Sequence, residues 1–288
     1  MIDLHTHTTA SDGQYPPSTL VNMAHDAGVT VLAITDHDTT SGLDEAAQQA
    51  QKRGITFVRG IELNITWPTG EFHLLGLGFQ QMSQSLFDII AFLQKKRDER
   101  NMQIIKKLNE NNIAISYEEL NSLFPNRQIG RPHFAAYLVQ KNVVKTSQQA
   151  FIEYLAKGRP CYAERTSANL DEAVQAICDS GGVPVIAHPM SLHASWKQLD
   201  AILDDVHGRG VAGLEAYHPG ARPQDCKRLE QLARAHGMFV TAGSDFHGEK
   251  IRADRKLGHT TDGKKIDDTF YYDELLPHIS NFLHAKNA

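Results

Sequence analysis

The sequence predicts an α/β protein: a barrel of strands joined by crossover helices, interrupted by an all-helical insertion. Three observations predict it. Short apolar or β-branched runs alternate with amphipathic stretches. His, Asp and Glu cluster where successive strands should end. The alternation stops between about Gln84 and Arg165 and resumes afterwards.

The predicted elements follow in chain order. A first strand ends in His5-Thr6-His7, and Val29–Thr35, Ile55–Val58, Val183–Ala187, Val211–Tyr217 and Met238–Ala242 read as buried strands. A third strand runs on through Gly60-Ile61-Glu62, and the next carries Glu71-Phe72-His73. Pro17–Ala27, Gly42–Arg53, Leu170–Ser180 and Pro223–His236 have helical periodicity. Asn169 precedes two acids where a helix should start, and Gly54, Gly181 and Gly237 stand where helices should stop. Strand–helix alternation predicts parallel strands with right-handed crossovers. Within the break, Leu86–Asn111 reads as a long charged helix, with shorter helices near Pro132–Gln140 and Thr146–Ala156. The expected domains are a barrel from residues 1–83 and 166–288 and a helical insertion, a substrate cap, over 84–165.

The chain has 288 residues, 41% hydrophobic and 22% charged, ordinary values for a soluble globular protein with a sizeable core. No stretch approaches the ~20 apolar residues of a membrane span. The opening Ile2-Asp3-Leu4-His5 lacks a signal-peptide pattern, and three scattered cysteines (Cys161, Cys178, Cys226) suit a reducing compartment. A cytoplasmic location is therefore expected, with no membrane and no obligate protein partner. The net charge of −5 is unevenly spread: residues 95–165 hold 13 Lys and Arg against 7 Asp and Glu, +6, leaving −11 elsewhere. An acidic body suits metals and a basic segment suits a polyanion. Lys95-Lys96-Arg97 and Lys106-Lys107 read as the solvated face of a helix. Long duplex nucleic acid, which rewards many phosphate contacts, fits this acidic chain poorly.

The chemistry-bearing residues sit at predicted strand ends. Residues i and i+2 of a strand share a face, so His5 and His7 can reach one ion. Thr35-Asp36-His37-Asp38, Glu62, His73, Ala187-His188-Pro189 and Gly243-Ser244-Asp245-Phe246-His247 fall at successive ends, the face that carries α/β-barrel active sites. Imidazole and carboxylate suit manganese, zinc and iron, and a carboxylate such as Glu62 can be shared by two ions. Asp36, Asp38 and Asp3 are candidates to accept the far N–H of a ligating imidazole.

These motifs, with Ser11-Asp12-Gly13, resemble the PHP (polymerase and histidinol phosphatase) family. The resemblance implies a distorted (β/α)7 TIM-like barrel with two or three divalent metal ions, Mn²⁺ first and Zn²⁺ or Fe²⁺ as alternatives. It implies one ion on His5, His7, Glu62 and Asp245, a second on Glu62, His73 and His188, and a third on Asp12, His37 and His247. The opening Asp3–Gly13, Thr35–Thr40, Gly130-Arg131-Pro132-His133-Phe134 and Tyr154–Gly158 are similar to one branch. That branch holds the 3′,5′-nucleoside bisphosphate phosphatases and the 5′-to-3′ exoribonuclease RNase AM. It implies hydrolysis of the 5′-phosphate of a nucleoside 3′,5′-bisphosphate, such as pAp to AMP, and 5′-to-3′ action on short 5′-phosphorylated RNA. Asp12 stands where histidinol phosphatases of the family have His, which argues against histidinol phosphate. A PHP module that binds without cutting would have lost ligands, and none of the nine is missing.

The expected reaction is attack by a water whose pKa the cations lower, with Glu62, Asp245 and His188 at the reacting centre and Arg131 neutralising phosphate charge. Arg131, His133, Lys157, Arg159 and His218 are the expected substrate contacts. Trp67 is a rim or core residue that could stack on a base. His25, His193, His207, His236, His259, His278 and His284 are expected to be solvated.

Overall fold

A computed structural model describes residues 1–125 and 127–279. They form two compact units, one from Met1 to Ile90 and from Ser167 onward, the other Ala91–Thr166.

In the first unit seven strands form one sheet in chain order: β1 (Ile2–Asp3), β2 (Val31–Ile34), β3 (Thr56–Ile65), β4 (Phe72–Leu77), β5 (Val183–Ile186), β6 (Gly213–Tyr217) and β7 (Phe239–Ala242). The ends of the sheet meet. Thr6, beyond β1, pairs in parallel with Phe246, beyond β7. Across this seam the His7 N–H donates to the Phe246 carbonyl at 2.9 Å and the Asp245 N–H to the His5 carbonyl at 2.9 Å. The result is the expected distorted barrel, with its edge strands joined to one another.

One expectation is corrected: not every strand is parallel. β4 runs antiparallel to both β3 and β5. The reason is the connection, since only 66–71 link β3 to β4, and a parallel crossover needs a dozen residues or more. β3 is also longer than predicted. Thr56–Arg59 pairs with β2, and Gly60–Ile65 continues as the partner of β4.

The α-helices among the described residues are α1 (Pro17–Asp26), α2 (Leu43–Arg53), α3 (Gln84–Glu110), α4 (Tyr117–Leu123), α5 (Arg131–Gln140), α6 (Ser147–Ala150), α7 (Leu170–Asp179), α8 (Trp196–Gly208) and α9 (Pro223–Ala235). α4 and α8 are additions to the sequence reading. Their termini follow the local code. Pro17 opens α1, where a missing N–H costs nothing. Gly54 closes α2 in the left-handed region at φ 69°. Asn169 accepts the Asp171 and Glu172 N–H groups at the head of α7. Ser195 and Gln198 form a reciprocal cap on α8.

The barrel core is built of Ile2, Leu4, Val31, Ala33, Leu75, Leu77, Val183 and Val185, closed off by Ile266, Tyr271 and Leu275 from the C-terminal segment. The second unit has its own core, in which Ile104 and Leu108 of α3 pack with Phe134, Tyr137 and Leu138 of α5. Among the described residues no helix is long and apolar enough to cross a membrane.

Candidate metal centre

Nine side chains gather at one end of the barrel. His5 and His7 leave β1 at the seam, His37 follows β2, and His188 follows β5. Asp245 and His247 come across the seam from β7. Glu62 lies inside β3, on the half that has outrun β2. His73 lies at the N-terminal end of β4, not at a C-terminal end as expected. Because β4 is reversed, its start shares a face with the ends of its neighbours.

Glu62 is the hub. Its Oε1 lies 2.8 Å from His73 Nδ1 and 2.9 Å from His188 Nε2, while Oε2 lies 3.4 Å from His5 Nε2, 3.3 Å from His7 Nε2 and 3.0 Å from His37 Nδ1. Asp245 Oδ1 faces His5, His7 and His247 at 3.6, 3.4 and 3.4 Å. Asp12 Oδ1 reaches His247 Nε2 at 3.3 Å. Four groups have ligand atoms all within 4.8 Å of one another: His7, Asp12, His37 and His247; His5, His7 and Asp245; His5, Glu62 and His188; and His37, Glu62 and His73.

The donor set fits divalent cations. His5 Nε2 and His7 Nε2 stand 3.1 Å apart, although the His5 proton is drawn to Nδ1 by Glu215 at 3.0 Å. Two imidazole nitrogens converging this way are stable around a shared positive charge. Glu62 Oε2 and His73 Nε2 are buried with no hydrogen-bond partner, which is costly unless another group satisfies them. The electrostatics agree. Burial alone would push the Glu62 carboxyl up, yet His37, His73 and His5 hold it well below its ordinary range. Against burial, His247 and His37 hold Asp12 well down, and His247 and His218 do the same for Asp245. Burial drives His37 down to about 3, whereas Asp12 and Asp245 overcome burial and raise His247 to about 9. The pocket therefore favours ionised carboxylates and demands compensating positive charge.

The acids expected to orient the imidazoles have other work. Asp36 accepts from the Thr8 N–H, the Thr8 hydroxyl and the Ser11 hydroxyl at 2.7, 2.6 and 2.5 Å, fixing the loop that carries Asp12. Asp3 accepts from the Ser244 N–H and hydroxyl at 3.0 and 2.6 Å and from the Gly258 N–H at 2.7 Å. Burial holds the Asp3 carboxyl up at about 6 despite these hydrogen bonds. The Asp38 carboxylate accepts the Asn64 N–H at 3.2 Å. An acid that does orient an imidazole is Glu215 of β6, absent from the sequence reading. It holds His5 and also accepts the His188 N–H at 2.8 Å. The only signal was a charged residue inside the apolar run Gly213–Tyr217.

The remaining candidates are placed as follows. His218 is buried, accepts the Gly220 N–H on Nδ1 at 2.9 Å and points Nε2 at Asp245 Oδ2, 3.3 Å away. In the second unit Arg131 starts α5, half-buried, and Lys157 and Arg159 are exposed. His133 is buried, accepts the Gly130 N–H at 3.0 Å and packs its ring against Phe124. Trp67 is half-buried, edge-on to Phe72. His25, His193 and His207 are exposed, and His236 is half-buried beside Asp200. His278 is half-buried and stacks on Phe239. His259 is buried rather than solvated, because its Nδ1 meets the Leu257 carbonyl at 2.8 Å in a tight turn. His284 lies outside the described residues.

Known proteins are similar to this chain in sequence and in architecture. The chain is 34% identical over 262 residues to a 3′,5′-nucleoside bisphosphate phosphatase of Chromobacterium violaceum, covering 91% of this chain and 92% of the relative. It is 33% identical over 245 residues to a 5′-3′ exoribonuclease of Haemophilus influenzae, covering 85% and 89%. The crystal structure of a putative metal-dependent phosphoesterase from Bifidobacterium adolescentis superposes with a TM-score of 0.83 at 30% identity, covering 96% of this chain and 95% of that one. The PHP domain model matches residues 3–160. The chain belongs to the PHP domain family.

Proposed function

We propose that this protein is a phosphoesterase that releases inorganic phosphate from nucleoside 3′,5′-bisphosphates and acts 5′-to-3′ on short 5′-phosphorylated RNA. The observation that carries the reading is the convergence of nine imidazole and carboxylate side chains on one end of the barrel. Relatives of nearly equal length named for these two activities support the substrate class.

His5, His7, Glu62 and Asp245 would hold one divalent ion, Glu62, His73 and His188 a second, and Asp12, His37 and His247 a third, with Mn²⁺ the first choice. Ions bound there supply Lewis acidity and an activated water for hydrolysis. The chain's own groups prepare that centre. Glu62 presents its two oxygens to two different sets of imidazoles, so it suits a shared ligand. Glu215 keeps the His5 proton on Nδ1 and leaves Nε2 to the pocket. His218, with Nδ1 occupied by the Gly220 N–H, carries its proton on Nε2 and donates it toward Asp245. Arg131 is assigned to neutralising charge on the reacting phosphate, with His133 bracing the head of α5, and Lys157 and Arg159 to the second phosphate of the substrate.

The test is turnover of 3′-phosphoadenosine 5′-phosphate beside a short 5′-phosphorylated RNA, with Mn²⁺ and with chelator. Phosphate release that depends on metal is expected, and the nucleoside monophosphate left behind identifies the ester cut. Absence of release with Mn²⁺, Zn²⁺ and Fe²⁺ alike refutes the reading. His5→Ala should abolish activity and metal retention together, and retained activity would remove His5 from the centre.

A further inference from the structure

We infer that Arg252 and Arg255, on the loop after β7, form an oxyanion-binding edge of the metal centre that grips the phosphoryl group held there. The inference rests on the phosphoesterase reading and deepens it.

The two oxygens of Asp245 face different worlds. Oδ1 looks into the imidazole cluster. Oδ2 looks outward, toward His218 Nε2 at 3.3 Å and toward two guanidinium groups, Arg252 Nη1 and Arg255 Nε, each at 3.9 Å. At 3.9 Å neither arginine hydrogen-bonds this carboxylate. Arg255 is 6% exposed, and its Nε is buried with no hydrogen-bond partner. A buried guanidinium with an unsatisfied donor is expensive unless an acceptor arrives. Arg252, with 40% of its side chain exposed, reaches the same oxygen from the solvent side.

The loop is built to hold this pair. Arg252 N–H donates to the Gly248 carbonyl at 2.8 Å and Arg255 N–H to the Arg252 carbonyl at 3.1 Å, so successive turns set the two arginines three residues apart on one side. Asp254 steadies both, 3.4 Å from Arg252 Nε and 3.2 Å from Arg255 Nη1. The bends at both ends are fixed: Gln14 accepts the Lys250 N–H at 2.9 Å and Asp3 accepts the Gly258 N–H. Gly220 packs closely beside this pair: a Cβ there would come 2.8 Å from His218 Nδ1 and 3.3 Å from Arg255 Nη2. Two cations answer to one local acid, Asp254, once Asp245 serves metal. The surplus positive charge, presented as planar N–H donors beside Asp245, matches a phosphate oxyanion rather than a base or a sugar hydroxyl.

The experiment uses the full chain and inorganic phosphate as the probe. Arg252→Ala is the primary variant, because its side chain is more exposed than that of Arg255. Arg252→Lys keeps the charge without the fork. Phosphate affinity is measured by calorimetry on metal-loaded protein, with bound metal counted by elemental analysis. Arg252→Ala should weaken phosphate binding about tenfold or more, with metal stoichiometry unchanged and Arg252→Lys intermediate. An unchanged phosphate Kd overturns the inference. So does a loss of bound metal with unchanged phosphate affinity at saturating metal, which would make Arg252 a brace for Asp245. Kinetics separate this inference from the reading it rests on. If the arginines grip the reacting phosphoryl group, kcat/KM falls by a similar factor for the bisphosphate and for a simple aryl monophosphate. If wild type hydrolyses both esters and Arg252→Ala matches it, the arginine pair fails while the phosphoesterase reading stands. If wild type hydrolyses neither, that reading fails, and phosphate binding still decides the arginines.

Discussion

At the scale of single residues, the candidate centre depends on partners outside its donor set. Glu215 is buried, accepts from the His5 ring and from the His188 backbone, and so sets the tautomer of one ligand and the place of another. Glu215→Gln keeps the shape but loses the charge. It should leave the fold intact and weaken metal affinity about 10- to 100-fold, checked by competition with a chromophoric chelator beside a circular-dichroism melt. Equal affinity would show that the His5 ring is held by packing alone. Most of the residues gathered here were legible as His, Asp or Glu beside apolar runs, whereas Asp12 was singled out only by the family resemblance. Glu215 was hidden inside such a run. Arg252 and Arg255 were hidden in a loop whose turns bring them to Asp245 only in three dimensions.

At the scale of elements, loops at the metal end are held by buried carboxylates. Asp36 takes three hydrogen bonds from Thr8 and Ser11, so Asp36→Ala leaves three buried donors unpaired. A loss of roughly 3 kcal/mol is expected from denaturant unfolding, with faster proteolysis within residues 8–14. A second tie joins α9 to the turn Phe270–Leu275. Glu274 accepts from Arg234 at 2.8 Å and from the Val240 N–H at 3.1 Å. Burial would raise the Glu274 carboxyl, but these donors hold it below its ordinary value. A carboxyl depressed in the folded state stabilises above its unfolded pKa, and that contribution fades as pH falls through the folded value. Glu274→Gln should therefore destabilise fully at pH 7 and progressively less below about pH 4, read from urea midpoints across pH. A penalty independent of pH would assign the effect to shape. Helix starts and stops were readable because caps are local. The direction of β4 was not, because the alternation elsewhere masked one short connection. α8 escaped because its periodicity follows a loop rich in His and Ser.

At the scale of the whole molecule, the barrel spends stability on its function. Nine polar side chains are taken out of water at one end, and their lone pairs left without hydrogen-bond partners would be satisfied by cations. Metal that binds the native state alone stabilises it by mass action, about 2.7 kcal/mol at a free concentration 100 times Kd. Mn²⁺ should raise Tm by several degrees and chelator should reverse it, measured by calorimetry. A Tm indifferent to metal would deny the cluster its role. The barrel itself was visible in the order of strands and helices, while its closure rests on backbone pairing that side-chain patterns do not report.

That closure has a consequence for how the protein is made. Thr6 pairs with Phe246, so the imidazoles of His5 and His7 meet Asp245 and His247 only after β7 has been made. Until then the two histidines have Glu62 to face but lack the carboxylate and imidazole that follow β7. A product truncated before β7 would lose the donor groups that draw on Asp245 and His247 and keep those built from His5, Glu62 and His188 and from His37, Glu62 and His73.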